Sequence, residues 1–395
     1  MSINSRKSAI ALPAMLIFVY GTVASLLGSL LPTLSAHFHL SPEQNGYIAA
    51  LQAVGLAFAT LLAGPLMDSK GIKVALCTGL SLMLLALLGL VGASGSRSLM
   101  AAICALGLGS GTVVAASNNL ASQVDEKRRA SMLNLANIFF GLGGLATPFI
   151  AANILSGDPM RLAYLVATLT AVALLFAVRI AMPARPIEGF HLSELVRIER
   201  KALLLLLSLV VFLYVGCEVA FWNWLPKYLI NRGADPRTAL NILGFGFAFG
   251  IIAGRLLALP MLHRIPATAV CMAGAIAMIG TTYATIHVAG SVLVLIAVFL
   301  SGVAMGPVFP SALGITSDAF PRMTGTCIGL VITAGWLGAA VLSWIIGSIA
   351  GSDSGRLSRG LAVVPLCSVV IVLLTIAVSR VTPKTRAAVV EPLAL

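Results

Sequence analysis

The stretch GPLMDSKGIK, Gly64 to Lys73, is a short polar turn between two long apolar stretches, and it carries the strongest fold signal in this chain. Gly64 allows close approach of a neighbouring helix, and Gly71 permits a tight turn because it has no Cβ. Asp68 can accept hydrogen bonds from helix ends or from basic groups of neighbouring helices.

The composition around this turn is that of an integral membrane protein. Of 395 residues, 59% are hydrophobic and only 10% are charged, and the mean hydropathy is +1.03, whereas soluble domains carry about 25% charged residues. A bilayer core of ~30 Å needs about 20 apolar residues per helix. Twelve such stretches are predicted, at 9–35, 44–66, 73–93, 98–121, 131–155, 162–182, 202–225, 238–260, 267–287, 291–313, 326–349 and 361–381.

The basic residues predict the orientation in the membrane. The first stretch is longer than the apolar region of a signal peptide, so it is interpreted as a membrane helix. With the N-terminus inside, 18 of the 25 Lys and Arg residues fall on that side and 7 on the other, which puts both termini in the cytoplasm. The same rule accounts for the net charge of +12 without nucleic acid. We expect a protein of a bacterial inner membrane, in contact with the lipid bilayer and monomeric.

A polar segment at the midpoint divides the chain into six helices plus six. We predict an N-terminal bundle over 1–182, a cytoplasmic linker over 183–201, and a C-terminal bundle with a short cytoplasmic tail over 202–395. Within the linker, 192–201 could form a short amphipathic surface helix or a plain tether. The halves echo each other weakly, because both loops after the fourth helix of a half carry an Asp and an Arg four residues later. Such internal repeats are typical of secondary transporters.

The Gly64–Lys73 turn resembles the signature loop of the major facilitator superfamily, G-x-L-x-D-[RK]-x-G-x-[RK]. Five fixed positions match, at Gly64, Leu66, Asp68, Gly71 and Lys73, while Ser69 stands where a basic residue is usual. The resemblance implies an all-α membrane protein of twelve helices in two pseudo-symmetric six-helix bundles. It also implies a gating role for this loop. Arg129, in the loop after helix 4, is a further predicted gating residue.

Further stretches resemble the fucose:proton symporter family and related sugar carriers. These are FLYVGCEVAFWNWLPKYL at 212–229, NILGFGFAFGIIAGRLL at 241–257, GPVFPSALGI at 306–315, SNNL at 117–120 and MLNLANIFFGLG at 132–143. In the proton-coupled members, helix 1 carries an aspartate and helix 4 a glutamate that serve coupling and sugar binding. Here the corresponding positions are Gly28 and Val114 or Ala115, so this chain lacks both acids.

Glu218 is the one carboxylate predicted deep in the bilayer. It lies ~22 Å along helix 7 from the inner end, where an acid costs about 3 kcal/mol and therefore faces the bundle interior, a partner or water. Tyr214 and Trp222 lie one turn before and after it and share its face. We hypothesise that Glu218 is the coupling site or a ligand for substrate hydroxyls. The alternative is a structural glutamate bonded to a neighbouring helix, through Arg255 or an asparagine.

Other polar or aromatic side chains at membrane depth are candidate substrate ligands. Aromatic rings cover the C–H face of a sugar, and amides bind its hydroxyls, although amides also bond neighbouring helices and tryptophans also form interfacial belts. Trp224 is assigned to the belt. The full set of predicted substrate-binding residues is Glu218, Trp222, Tyr214, Asn118, Asn119, Asn134, Asn137, Gln52 and Trp336.

Motifs for catalysis, cofactors and metals are not found in the sequence. It contains no Walker loop, no HExxH and no GxSxG in a strand-to-helix setting, and its five histidines and six cysteines show no ligand spacing. We therefore expect no cofactor, no metal and no enzyme activity. Any uphill transport would draw on a gradient of H⁺ or Na⁺.

Three functions remain open at this stage. The first is a carrier that moves a small neutral hydroxylated solute, a sugar or polyol, by alternating access, with proton coupling possible through Glu218. The second is an exporter of drug-like or organic metabolites on the same fold. The third, a receptor or membrane enzyme without transport, fits poorly with the signature loop and the six-plus-six layout.

Overall fold

A computed structural model describes residues 3–124, 129–155, 158–180, 182, 200–262, 264–320, 323–351 and 353–381. Every regular element in these residues is helical, as the sequence predicts. The helices are α1 (Ile3–His37), α2 (Pro42–Lys70), α3 (Ile72–Val91), α4 (Ser96–Val124), α5 (Arg129–Asn153), α6 (Pro159–Arg179), α7 (Lys201–Asn231), α8 (Pro236–Asn241), a π-helix (Ile242–Ala248), α9 (Phe249–Leu262), α10 (Ala267–His287), α11 (Ser291–Met305), α12 (Val308–Ala319), α13 (Thr324–Ala350), a 3₁₀ turn (Ser354–Arg356), α14 (Leu357–Leu361) and α15 (Val363–Val381).

These helices provide twelve spans long and apolar enough to cross a membrane, which confirms the prediction of an integral membrane protein. Three spans are composite, because α8, the π-helix and α9 run on as one, as do α11 with α12 and α14 with α15. The seventh span is longer than the predicted 202–225, since α7 continues to Asn231. Lys227, two residues beyond the end of that predicted span, therefore lies within the helix.

Local sequence explains where several helices begin and end. Ser41 and Gln44 form a capping box at the start of α2, with each side chain bonded to the other's backbone N–H. Asp235 caps α8, and the hydrogen bonds from Thr238 hold the pKa of that carboxyl below its usual value. Gly71 separates α2 from α3 with a φ of +87°, in the region that favours glycine.

Two large apolar clusters form the core of the bundle. One gathers buried side chains of α1 to α6, including Leu30, Leu80 and Val166. The other is centred on α7 and gathers side chains of the later helices, including Trp224 and Met278. The division into bundles over 1–182 and 202–395 with a linker over 183–201 stays a prediction. Most of that linker, and with it most of the proposed surface helix at 192–201, lies outside the described residues.

Helices of the first and second halves meet at one end of the bundle. We call it the distal end and define it by the loop residues 38–41, 92–95, 232–235, 288–290, 351 and 353. There Gly46 of α2 lies against Gly347 of α13, where an added Cβ would be 3.0 Å from the Gly347 Cα. The Glu43 N–H donates to the Gly351 carbonyl at 3.1 Å. The distal end is thus closed by main-chain contacts that only small residues allow.

Candidate functional site

Glu218 is the only buried acidic side chain among those the structure describes, with 8% exposure. The indole Nε1 of Trp222 donates to its Oε1 at 3.5 Å. Tyr214, one turn earlier, is fully buried, and its ring stacks on Phe309 of α12 at 6.3 Å between centroids. The structure therefore brings Tyr214, Glu218 and Trp222 together on one face of α7, as the i, i+4 spacing predicts.

Trp222 lies between three helices. Its ring packs so closely on Gly144 of α5 that an added Cβ there would be 2.8 Å from the indole. Phe247, on the π-helix, meets it edge-on at 5.1 Å between centroids. π-Helical segments are often found at functional sites, because the wider turn re-aims side chains. The sequence analysis missed Phe247, since nothing in the pattern of residues 242–248 distinguishes a π-helix from an α-helix.

Trp224 was assigned to the interfacial belt, and that prediction is wrong. The side chain is fully buried, and its Nε1 has no hydrogen-bond partner among the described residues. Trp344 of α13 is 46% exposed instead. The positions of residues along α7 could not predict the burial of Trp224, because that burial depends on which neighbouring helices cover this side of α7.

Arg255 of α9 connects the two halves near this group. Its Nη1 donates to the Asn137 carbonyl of α5 at 3.1 Å, and its Cζ lies 5.8 Å from the centre of the Phe140 ring. Phe140 in turn packs on Tyr20 of α1 at 5.4 Å between ring centroids. The Arg255 Nε is buried without a partner among the described residues.

Glu218 and Arg255 form no ion pair within the described part of the chain. The Tyr214 hydroxyl has no hydrogen-bond partner of suitable geometry among the described residues. A buried hydroxyl without a hydrogen-bond partner, one helical turn from Glu218, is a group that a polar ligand could satisfy.

The predicted amide ligands differ in their burial and in their hydrogen bonds. Asn118 donates to the Val114 carbonyl of its own helix at 3.0 Å, which is the structural use of an asparagine. Gln52 of α2 is buried and makes no hydrogen bond to a described residue. Asn119 and Asn137 are partly buried. The side chain of Asn134 lies outside the described ones.

The remaining predicted site residues lie on helices other than α7 or in the turn between α2 and α3. Trp336 of α13 is partly buried and packs on the core around α7. Gly71 forms the turn between α2 and α3, and Gly64 and Lys73 are partly buried on either side of it. The side chains of Asp68 and Arg129 lie outside the described ones, so their gating role stays a prediction.

Gly28 is a close-packing residue. From the sequence it was noted only as the position where the related proton-coupled symporters carry an aspartate. A Cβ at this position of α1 would overlap the Trp222 carbonyl oxygen, and it would lie 3.2 Å from the Asn223 Cα. No acidic side chain fits there in this packing. Where the related symporters carry the helix 1 aspartate, this chain has a glycine that lets α1 contact the main chain of α7 next to Glu218 and Trp222.

Comparison with known proteins places the chain in a family. The sequence model of the Major Facilitator Superfamily matches residues 14–343. A glucose/mannose transporter of Bacillus subtilis is 24% identical over 362 residues, which cover 87% of this chain and 88% of that protein.

Two solved structures share the fold. The fucose:proton symporter of Escherichia coli is 20% identical, with a TM-score of 0.67 over 93% of this chain and 98% of that one. The xylose transporter of E. coli in an inward-open conformation is 13% identical, with a TM-score of 0.76 over 97% and 98%.

Proposed function

The chain belongs to the major facilitator superfamily, and we propose that it moves a small hydroxylated solute, a sugar or polyol, across the membrane by alternating access. The observation that carries this proposal is the Tyr214–Glu218–Trp222 face of α7. A buried carboxylate can accept hydrogen bonds from hydroxyls, and an adjacent indole can cover a C–H face. The similarity to a glucose/mannose transporter over most of both chains supports hexoses as the first substrates to test.

We further propose that Glu218 couples transport to protons. A proton needs only one titratable group, whereas hard metal cations prefer several oxygen ligands. Within the described residues, Glu218 has no second acid beside it, and no group of three His, Cys, Asp or Glu side chains occurs. Glu218 thus supplies the single titratable group that proton coupling needs.

The proposal also covers the motion of the two six-helix units, the orientation of the chain and its membrane. The two six-helix units, 1–182 and 202–395, would rock about the site between them, and the Gly64–Lys73 loop with Arg129 would control the end opposite the distal one. The excess of basic residues on the terminal side supports cytoplasmic termini. We place the protein in a bacterial inner membrane as a monomer.

Uptake by purified protein in proteoliposomes tests the function. We expect saturable uptake of labelled glucose or mannose that unlabelled hexose blocks, in contrast to liposomes without protein. A thermal-shift screen of sugars, polyols and organic acids broadens the search, because a ligand that binds the folded state raises its apparent stability. Efflux of a lipophilic cation that hexose leaves unchanged, without any hexose uptake, would reject the proposal and favour the organic-metabolite exporter.

A further inference from the structure

Lys227 is a buried cation at the distal end of α7. It lies nine residues after Glu218, and only 7% of it is exposed. Its Nζ donates to the Ser35 Oγ of α1 at 3.0 Å, and the Ser35 hydroxyl donates to the Asn45 Oδ1 of α2 at 2.9 Å. A chain of three buried side chains thus links the second half of the protein to two helices of the first half.

The closed distal end encloses this chain. Gly46, next to Asn45, packs on Gly347 of α13, and Gly28 of α1 packs on the main chain of α7. Lys227 forms no ion pair in the described part of the chain. Its ammonium group has three donors, and the one partner it has there, a serine hydroxyl, is neutral.

Two opposing free energies act on the buried ammonium group of Lys227, the cost of its desolvation and the gain from its hydrogen bond. Burial of an ammonium group removes its hydration, and a single hydrogen bond to a neutral hydroxyl restores only part of that loss. Opening of the distal end would return Lys227 to water. The charge therefore favours the open state, while the Lys227–Ser35 hydrogen bond, the link in this chain that joins the two halves, favours the closed one.

We propose that Lys227 is a positioning residue that biases the distal end toward opening, and that Ser35, whose hydroxyl is oriented by its hydrogen bond to Asn45, holds this end closed against the bias. The inference rests on the alternating access of the proposed function, but it concerns the gate rather than the substrate. It predicts opposite effects for two changes in one hydrogen-bonded pair. Lys227→Met removes the charge and keeps the apolar stem, so it favours closure, whereas Ser35→Ala leaves the charge buried without a partner and favours opening.

Pulsed electron resonance distances between two spin labels test this directly, without any substrate. The labels are placed on Ser94→Cys and Ala289→Cys, which are exposed in distal loops of the first and second halves. The full-length background has its six natural cysteines replaced by alanine. The long-distance fraction reports an open distal end, so failure of sugar transport would leave this reading unaffected.

We expect Ser35→Ala to raise the ratio of open to closed protein about tenfold or more, because it isolates a buried charge. In the Lys227→Met background, Ser35→Ala should change this ratio less than about twofold, since no charge remains to release. Ser29→Ala is the matched control, because Ser29 is a buried serine of the same helix that bonds only to the Ser25 carbonyl.

Three results would overturn the proposal. One is opening caused by Lys227→Met, as expected if the lysine were a simple latch. Another is an equal effect of Ser35→Ala with and without the lysine, which would make the charge irrelevant. The third is an unchanged distance distribution in all variants. Monodisperse elution and the thermal unfolding midpoint of each variant establish that the measured protein is folded.

Discussion

The indole Nε1 of Trp222 and the carboxylate Oε1 of Glu218 lie 3.5 Å apart on consecutive turns of α7. The contact is at the long end of hydrogen-bonding range, so it orients the carboxylate without using all its acceptor sites. Because an ionised carboxylate has about four such sites, Glu218 remains able to accept from a ligand. Mutation of Glu218 and mutation of Trp222 should therefore have different effects on transport.

Glu218→Gln should abolish coupling while it preserves exchange. Glutamine keeps the shape and the acceptor oxygen but cannot release a proton. We expect loss of hexose accumulation driven by a pH gradient in proteoliposomes, with exchange of labelled for unlabelled hexose retained. The control is Glu43→Gln at the distal end, where Glu43 bonds the exposed Tyr47. Accumulation by Glu218→Gln at the rate of the unmutated protein would remove Glu218 from the coupling mechanism.

Trp222→Phe should weaken substrate binding more than turnover. Phenylalanine keeps an aromatic ring against Gly144 and Phe247 but removes the N–H that orients Glu218. Since the contact is long, we expect the loss of about 1 kcal/mol, or roughly fivefold in the KM for uptake. Trp344→Phe, on a tryptophan that is 46% exposed, should leave the KM unchanged. A change in the maximal rate alone would assign Trp222 to gating.

Gly28→Ala should block distal closure. The added methyl group would meet the main chain of α7 at Trp222, and main-chain atoms cannot move aside as a flexible side chain can. Overpacking of this kind costs ~1–3 kcal/mol, so we expect uptake to fall about tenfold or more. Gly280→Ala, where an added Cβ meets open space, is the control. If both variants transport equally, the contact of α1 with α7 is not needed for transport.

Gly71→Ala should destabilise the turn between α2 and α3. The residue has a φ of +87°, and a residue with a Cβ is strained there by ~1–3 kcal/mol. A lower thermal unfolding midpoint of the purified protein is expected. Gly95→Ala serves for comparison, because Gly95 also lies in a loop with open space around it but without a positive φ. Equal midpoints for the two variants would contradict this account.

The sequence predicted those features that depend on local pattern. Twelve spans follow from hydropathy, the turn at Gly71 from its position between two helices, and the shared face of Tyr214 and Glu218 from helical spacing. Each of these needs only neighbours in the chain, which a sequence displays directly.

Other features depend on which helices meet in space, and for these the sequence was insufficient. Trp224 and Trp222 differ by two positions, yet Trp224 is a core side chain with no hydrogen-bond partner among the described residues, and Trp222 contacts Glu218. Lys227 falls beyond the predicted seventh span at 202–225, whereas α7 continues through Pro226 and Lys227 to Asn231. The close approach at Gly28 requires knowledge of α7 as its neighbour.

The π-helix at Ile242–Ala248 also affects how this chain can be aligned with others. Each wide turn accommodates an additional residue, and one residue of an α-helix corresponds to a rotation of about 100°. A relative that runs straight through this span would match the chain before or after the segment, but not on both sides without a gap. Deletion of one residue here would rotate either Asn241 or Arg255 away from α5. The hydrogen bond of Asn241 to Asn153, or that of Arg255 to the Asn137 carbonyl, would then be lost.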